Sequence, residues 1–114
     1  MSDELDRHVE RFNEGVRTGN FDPMLGRFAG DAELIFEDVP AGPYLGLEAI
    51  RAGYREQPPD DEVVVLATRP DGEDEVATYA WRARPDVPAG EMRFTRRDGL
   101  VARLVVSFRT AEAS

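Results

Sequence analysis

The side chains that could carry out chemistry in this chain are mainly carboxylates and tyrosines, because other common catalytic groups are scarce. The 114-residue sequence contains no Cys and one His, and all 14 of its basic residues are Arg. These absences exclude a thiol nucleophile, a lysine Schiff base and a zinc site built from several histidines of one chain. If the protein is an enzyme, carboxylates must therefore carry the acid–base chemistry.

Asp38 is the carboxylate whose position in the sequence is most informative. Residues 31–38 alternate, which places Leu34, Phe36 and Asp38 on one face of a predicted strand and Glu37 on the other. In an apolar pocket the ionised form of a carboxylate is disfavoured, so its pKa rises towards the working pH of a general base. Asp38 is thus a candidate base, and the alternative is a solvated carboxylate at the end of a strand.

The first of three predicted helices covers residues 2–19 and has an apolar stripe along one side. Its apolar residues recur at spacings of three and four: Leu5, Val9, Phe12 and Val16. His8 lies one position from this stripe, and we interpret it as an exposed helix residue rather than a catalytic one. The second helix is predicted over residues 22–30 with Phe28 buried, and the third over residues 47–56.

The rest of the sequence predicts a run of strands joined by turns. Alternating or dense apolar residues predict strands over 31–38, 62–68, 75–84, 91–97 and 100–109. One face of the last strand is expected to present Ala102, Leu104, Val106 and Phe108. Because helices precede an antiparallel run of strands, we expect a single α+β domain over residues 1–114, with helices on one face of a curved sheet. Its ordered core is expected to span roughly residues 5–109.

Two local motifs, taken with this order of elements, resemble the nuclear transport factor 2-like (SnoaL-like) superfamily. The first motif is Phe28-Ala29-Gly30-Asp31-Ala32 followed by Glu37-Asp38, and the second is Gly46-Leu47-Glu48-Ala49-Ile50-Arg51 running to Tyr54. The resemblance covers nearly the whole chain and implies a cystatin-like α+β cone. In such a cone, three helices from the N-terminal side pack on a strongly curved, mostly antiparallel sheet that surrounds a pocket.

Similarity to the ketosteroid isomerases of this superfamily implies roles for particular residues. Asp38 matches the catalytic base, and Tyr54 matches a pocket tyrosine. Counting back from the final hairpin without a gap places Glu91 at the position of a protonated acid, whereas a one-residue shift places Met92 there. Phe12 stands where these enzymes have an oxyanion-stabilising tyrosine, and Phe cannot donate a hydrogen bond. The implied catalytic residues are Asp38, Glu91 and Tyr54, in an enzyme that is not a standard ketosteroid isomerase.

Two functions remain open for such a cone. The first is an acid–base isomerase, cyclase or dehydratase that needs no metal or cofactor and acts on a small apolar molecule. The second is a non-catalytic module of the same fold that binds a hydrophobic ligand or dimerises. If the cone holds a small apolar ligand, the side chains expected to contact it are Phe12, Phe36, Trp81, Leu104, Val106 and Phe108.

Charge and hydropathy limit the classes of partner that the protein can have. The formal net charge of −9 argues against binding to nucleic acid or to an anionic membrane surface. No apolar run approaches the length of a membrane span, and no signal peptide opens the sequence. The lack of Cys fits a reducing compartment, so we expect a cytoplasmic protein. The family resemblance implies a homodimer that forms through the convex face of the sheet.

Overall fold

The part of the chain that the structure describes contains three helices and six strands. The structure is a computed structural model in which residues 3–37 and 42–108 are described. The helices are α1 (Asp3–Thr18), α2 (Asp22–Leu25) and α3 (Leu47–Glu56). The strands are β1 (Phe28–Phe36), β2 (Tyr44–Leu45), β3 (Val63–Asp71), β4 (Asp74–Trp81), β5 (Gly90–Arg97) and β6 (Leu100–Val106). None of the described helices is long and apolar enough to cross a membrane.

The strands form one sheet in the order β2-β1-β6-β5-β4-β3. Strands β1 and β6 run parallel, and every other neighbouring pair is antiparallel. Three register shifts, in the β1–β6, β3–β4 and β5–β6 pairs, bend the sheet, since an irregularity of this kind increases local twist. Apolar side chains of all three helices pack with those of the sheet in one core. The predicted α+β cone with a mostly antiparallel sheet is therefore confirmed.

Helix α1 is held against the sheet by its apolar stripe and by one buried amide. Leu5 and Val9 are buried in the core. The side-chain nitrogen of Asn13 donates to the carbonyl oxygen of Val63 at 2.9 Å, and its side-chain oxygen accepts from the backbone N–H of Val63 at 2.7 Å. These two bonds pair both backbone groups of the first residue of β3 with α1. Because buried polar groups are costly to leave unpaired, they fix where the helix lies.

The second helix is shorter than predicted, and Phe28 belongs to a strand. Helix α2 ends at Leu25 and Gly26 follows it, whereas Phe28 begins β1 and pairs with Val101. The backbone N–H of Val101 also donates to the carbonyl oxygen of Arg27 at 2.9 Å. Pairing with β6 thus outweighs the helical spacing of the apolar residues in this segment. Phe28 is buried, as predicted, but it enters the core from a strand and not from a helix.

The final strand changes face at an irregularity in its pairing with β5. Arg103 lies opposite Thr95, but Val101 lies opposite Arg96, so Ala102 has no partner in the register. Val101 is consequently buried, and the prediction that Ala102 shares the inner face of β6 is wrong in this first part of the strand. Beyond the irregularity the predicted alternation is correct, and Leu104 is buried.

Strands β3 and β4 also differ in length from their predictions. Strand β3 continues to Asp71, so the turn begins at Gly72, where φ is +65°. Strand β4 ends at Trp81, three residues before the predicted end at Arg84. The backbone N–H of Arg84 donates to the carbonyl oxygen of Trp81 at 2.9 Å, which turns the chain away from the sheet. Trp81 is therefore the last side chain that this strand directs to the inner face.

Candidate ligand-binding site

A cavity of about 250 Å³ lies between α1, α3 and the inner face of the sheet. We call it the cone pocket. All six side chains that were predicted to contact a ligand line it: Phe12, Phe36, Trp81, Leu104, Val106 and Phe108. Residues that sequence reasoning did not assign to a ligand also line it, among them His8, Tyr44, Gln57 and Tyr79. The pocket is therefore mostly apolar, with a few polar groups at its wall.

The floor of the cone pocket follows directly from the register of neighbouring strands. Phe36 lies opposite Val106 in the β1–β6 pair, and Met92 lies opposite Val106 in the β5–β6 pair. Side chains at paired positions point to the same face of a sheet, so these three lie side by side. The ring of Phe108 stacks on that of Phe36 with centroids 6.2 Å apart. The alternation of side chains along these strands thus gives the cone pocket an apolar floor.

Aromatic rings of the helical layer form the opposite wall. The ring of Phe21, which follows α1, lies 6.1 Å from that of Phe12 and 5.0 Å from that of Tyr54. Phe12 comes from α1 and Tyr54 from α3, so Phe21 connects the two helices. This packing holds the Phe12 and Tyr54 side chains at the pocket by contacts that do not need a ligand.

Two tyrosines differ in what their hydroxyl groups contact. The Tyr79 hydroxyl donates to the carbonyl oxygen of Ser107 at 3.1 Å, and burial raises the pKa of Tyr79 to about 12. Burial also raises the pKa of Tyr54 well above its usual range, and its hydroxyl has no hydrogen bond to any residue that the structure describes. Both tyrosines are protonated at neutral pH. Only Tyr54 has a hydroxyl free to donate to a bound molecule.

His8 is buried at the pocket, and the interpretation of it as an exposed helix residue is wrong. Its side chain is 5% exposed and lies edge-on to the rings of Phe28 and Phe94, at 5.5 and 5.0 Å. Its Nδ1 atom has no hydrogen-bond partner among the described residues. The sequence does contain a signal for this burial. His8 lies three residues after Leu5 and four before Phe12, which is the spacing of residues on one face of a helix. The buried face of α1 is simply wider than the apolar stripe used to predict it.

The burial of His8 makes the stability of the protein depend on pH. Burial, with Arg96 and Arg11 nearby, lowers the pKa of His8 to about 3 from its ordinary value of 6.5. Between these values the unfolded chain binds the proton and the folded chain does not, so stability falls as the pH is lowered through this range. We expect His8→Phe, which keeps an aromatic ring at the site, to remove this dependence. From pH 6.5 to pH 5 the wild type should lose about 2 kcal/mol more than the variant.

Urea denaturation of both proteins at a series of pH values measures this difference. The many carboxylates titrate in both proteins, so their contribution cancels in the comparison. The NMR signals of His8 provide an independent control, since they should not titrate between pH 7 and pH 5 in the folded protein. Stability curves that run parallel for the two proteins would contradict the assignment of a neutral, buried His8.

Glu91 does not reach the cone pocket. Its carboxylate pairs with the guanidinium of Arg69 at 3.2 Å, whereas the neighbouring Met92 lines the pocket. Gly90, Met92 and Phe94 are the buried positions of β5, which leaves Glu91 on the outer face. The placement of Glu91 as an acid in the pocket is therefore wrong. The structure has the alternative arrangement, shifted by one residue, in which Met92 takes the pocket position.

Asp38, the predicted base, lies outside the residues that the structure describes. Its neighbour Glu37 is described: it is exposed, and its backbone N–H donates to the carbonyl oxygen of Val106 at 2.9 Å. No Asp or Glu occurs among the described residues that line the cone pocket. The polar side chains that line the pocket within the described part of the chain are therefore uncharged at neutral pH, and those of His8 and Tyr54 lie deepest among the helices.

Comparison with known proteins identifies the family of the chain. The sequence model of the SnoaL-like domain matches residues 9–112. A search of curated proteins gives no match. Solved structures share the fold over most of both chains, and we describe three of them.

A computationally designed 17-OHP binder is 16% identical, with 98% of this chain and 95% of that one covered and a TM-score of 0.70. A candidate ketosteroid isomerase from Kribbella flavida is 15% identical over 96% and 81% of the two chains, with a TM-score of 0.67. A candidate polyketide cyclase from Sinorhizobium meliloti is 24% identical over 92% and 99%, with a TM-score of 0.62. At these identities the likeness concerns the fold alone. Together with the match over residues 9–112, it shows that the chain belongs to the SnoaL-like family of nuclear transport factor 2-like proteins.

Proposed function

We propose that the protein binds a small, uncharged, mainly apolar molecule in the cone pocket through shape and one or two hydrogen bonds. The observation that carries this proposal is an apolar cavity whose few polar groups include the unpartnered Nδ1 of His8 and the Tyr54 hydroxyl, which makes no hydrogen bond to a described residue. A buried polar atom without a partner, such as His8 Nδ1, is rare in native proteins and lowers stability. A ligand that pairs with these groups would gain hydrogen bonds in a low-dielectric site.

The volume of the cone pocket limits the size of the ligand. A dry apolar cavity of about 150 Å³ holds a benzene molecule, and ordinary ligand pockets range from about 300 to 1,000 Å³. At about 250 Å³ the cone pocket falls between these values. We therefore expect a molecule of one or two fused rings to fit with the side chains as they stand.

The protonation of the pocket groups limits the polarity of the ligand. The lowered pKa of His8 keeps its imidazole neutral at pH 7, and the raised pKa of Tyr54 keeps its hydroxyl protonated. Neither group carries a charge that could offset a charged ligand in this apolar site. The expected ligand has a carbonyl or hydroxyl group, which can accept from the Tyr54 hydroxyl or pair with the His8 ring. The names of the structural neighbours, which mention a polyketide cyclase, a ketosteroid isomerase and a 17-OHP binder, agree with this class.

A fluorescence titration with decalone, a saturated fused bicyclic ketone, tests the proposal. Trp81 is the only tryptophan of the chain and lines the cone pocket, so its emission reports on occupancy. For about 11 non-hydrogen atoms we expect a dissociation constant on the order of 0.1 mM. The saturated hydrocarbon decalin, which has no carbonyl group, should bind more weakly. Trp81 emission that stays constant at all decalone concentrations would contradict the proposal.

A second candidate function, acid–base catalysis, is favoured by the position of Asp38 in the sequence. Phe36, the last residue of β1, lines the cone pocket, and Asp38 follows it by two residues, at the position that matches the catalytic base in the sequence resemblance to ketosteroid isomerases. We propose that Asp38 removes a proton from the carbon next to a ligand carbonyl while the Tyr54 hydroxyl donates to the developing oxyanion. The proton returns from solvent, so in heavy water the net result is exchange of hydrogen for deuterium.

Deuterium exchange into decalone, followed by NMR, separates this catalytic function from binding alone. If Asp38 is the base, the wild type accelerates exchange, and Asp38→Asn returns the rate to that of buffer while decalone still binds. Wild-type exchange at the buffer rate, with decalone bound, would leave ligand binding as the function. Exchange that Asp38→Asn does not slow would show that another group is the base.

A further inference from the structure

A second cavity, of about 150 Å³, lies on the other side of His8 from the cone pocket. It is formed between α1 and the β5–β6 hairpin, and Arg27 from the turn before β1 closes it. Four of its lining side chains are arginines and one is a carboxylate: Arg7, Arg11, Arg27, Arg96 and Glu4. We call it the arginine cavity. Its concentration of positive charge is unexpected in a chain with a formal charge of −9.

Three of these four arginines form no salt bridge with a carboxylate that the structure describes. The salt bridges between described residues include Arg96 but not Arg7, Arg11 or Arg27. Arg27 donates instead to the carbonyl oxygen of Gly99 at 3.2 Å, which brings no opposite charge. Elsewhere on the protein, arginines are commonly paired, as Arg93 is with two aspartates. The arginine cavity therefore has three arginines that form no salt bridge with a described carboxylate.

Arg96 has one nitrogen that the described protein groups leave unpaired. Its Nε lies 3.1 Å from the carboxylate of Glu4, and its Nη1 lies 3.2 Å from that of Glu75. These two ion pairs fix the plane of the guanidinium. Its Nη2 is buried and has no hydrogen-bond partner. A buried charged donor without an acceptor is costly, so an oxygen atom that reached Nη2 from the cavity would gain a charge-assisted hydrogen bond.

His8 is a second unpartnered group at the same place. It lines the arginine cavity as well as the cone pocket, its side chain is 5% exposed, and its Nδ1 lacks a partner. Arg96 and His8 thus each contribute to the lining of this cavity and each carry a buried nitrogen without a hydrogen-bond partner among the described residues. Arginine presents its donors in a planar fork that matches the oxygens of a carboxylate or a phosphate.

We propose that the arginine cavity binds a small oxyanion, a phosphate or carboxylate group, which accepts hydrogen bonds from Arg96 Nη2 and pairs with Arg7 and Arg11. The site is separate from the cone pocket, because His8 lies between the two. An anion bound here lies beside the ring of His8, so the NMR signals of this residue report on its binding. They are simple to assign, since the untagged chain has a single histidine.

Titration of inorganic phosphate into the protein, at an ionic strength held constant with NaCl, tests this proposal. We expect a saturable shift of the His8 signals. The double variant Arg7→Gln/Arg11→Gln should weaken phosphate binding by about ten-fold or more, because it removes two charge-assisted contacts. Arg96 is not the residue to replace first, because it holds Glu4 and Glu75 and its loss could unfold the hairpin.

A matched double variant, Arg55→Gln/Arg84→Gln, controls for the change in net charge. Both arginines are exposed and neither lines the arginine cavity, so phosphate binding should change less than about two-fold. A parallel titration with acetate distinguishes the two sources of an oxyanion: tighter phosphate binding assigns a phosphate group, and tighter acetate binding assigns a carboxylate. No saturable shift with either anion, or equal weakening in the two double variants, would overturn the proposal.

Discussion

Gly90→Ala is expected to lower the free energy of unfolding by about 3 kcal/mol or more, the largest effect of any single methyl group we predict. A Cβ atom at Gly90 would overlap the carbonyl oxygen of Ser107 and lie 2.8 Å from its carbonyl carbon. These are backbone atoms, so no rotation of a side chain relieves the overlap. Gly90 is required here because two chain segments approach closely, and its φ is not positive.

The overlap matters because Ser107 holds the end of β6 at the cone pocket. Its backbone N–H donates to the carbonyl oxygen of Glu91 at 2.8 Å, and its carbonyl oxygen accepts from the Tyr79 hydroxyl at 3.1 Å. Phe108, which lines the pocket, is the next residue. If the segment moves away to make room for a methyl group, both bonds and the position of Phe108 change together.

Gly30→Ala is the matched control for this prediction. Gly30 lies in the same sheet, in β1, but a Cβ there would have no neighbour within 4 Å. We expect its free energy of unfolding to stay within about 0.5 kcal/mol of the wild type. Urea denaturation curves of the three proteins measure both effects. Equal stability of Gly90→Ala and Gly30→Ala would contradict the close approach at Ser107.

Val106→Phe is expected to weaken decalone binding by at least about a hundredfold, which corresponds to about 2.7 kcal/mol. Val106 lies at the centre of the pocket floor, opposite both Phe36 and Met92. A phenyl ring at this position extends into the space that the ligand needs. Because the cavity is only about 250 Å³, it cannot hold both the added ring and a bicyclic ligand.

Val105→Phe controls for the effect of adding a ring to β6. Val105 is the preceding residue of the same strand and does not line the cone pocket, since its side chain points to the other face of the sheet. Its decalone affinity should stay within about two-fold of the wild type. The emission of Trp81 measures both variants, and neither substitution adds a tryptophan. Similar affinities for Val106→Phe and Val105→Phe would show that decalone binds elsewhere.

The floor of the cone pocket could be predicted from the sequence because it depends on a period of two. Leu34 and Phe36 in β1, and Leu104 and Val106 in β6, alternate with residues that face outward. One face of the sheet is buried and the other largely exposed, so this alternation is preserved in the amino-acid types. The same reasoning placed Trp81 on the inner face of β4, although it extended that strand and its inner face beyond Trp81 to Ala83.

The errors arise where tertiary contacts outweigh the local pattern. His8 reads as a polar residue beside an apolar stripe, and only its contacts with Phe28 and Phe94 show that it is buried. Val101, and not Ala102, faces inward because the pairing of β6 with β5 skips one residue. No sequence signal marks this irregularity. Glu91 was placed by counting along a resemblance, so an uncertainty of one residue was enough to reverse its face.

The measurement that tests the binding function most directly is an intermolecular nuclear Overhauser experiment with bound decalone. The account predicts contacts between decalone protons and the side chains of Trp81, Leu104 and His8, because all three line the cone pocket. Exposed apolar side chains such as Leu66, which is 41% exposed, should show none. Contacts confined to Leu66 or to other surface residues would contradict the claim that this SnoaL-like protein binds its ligand inside the cone.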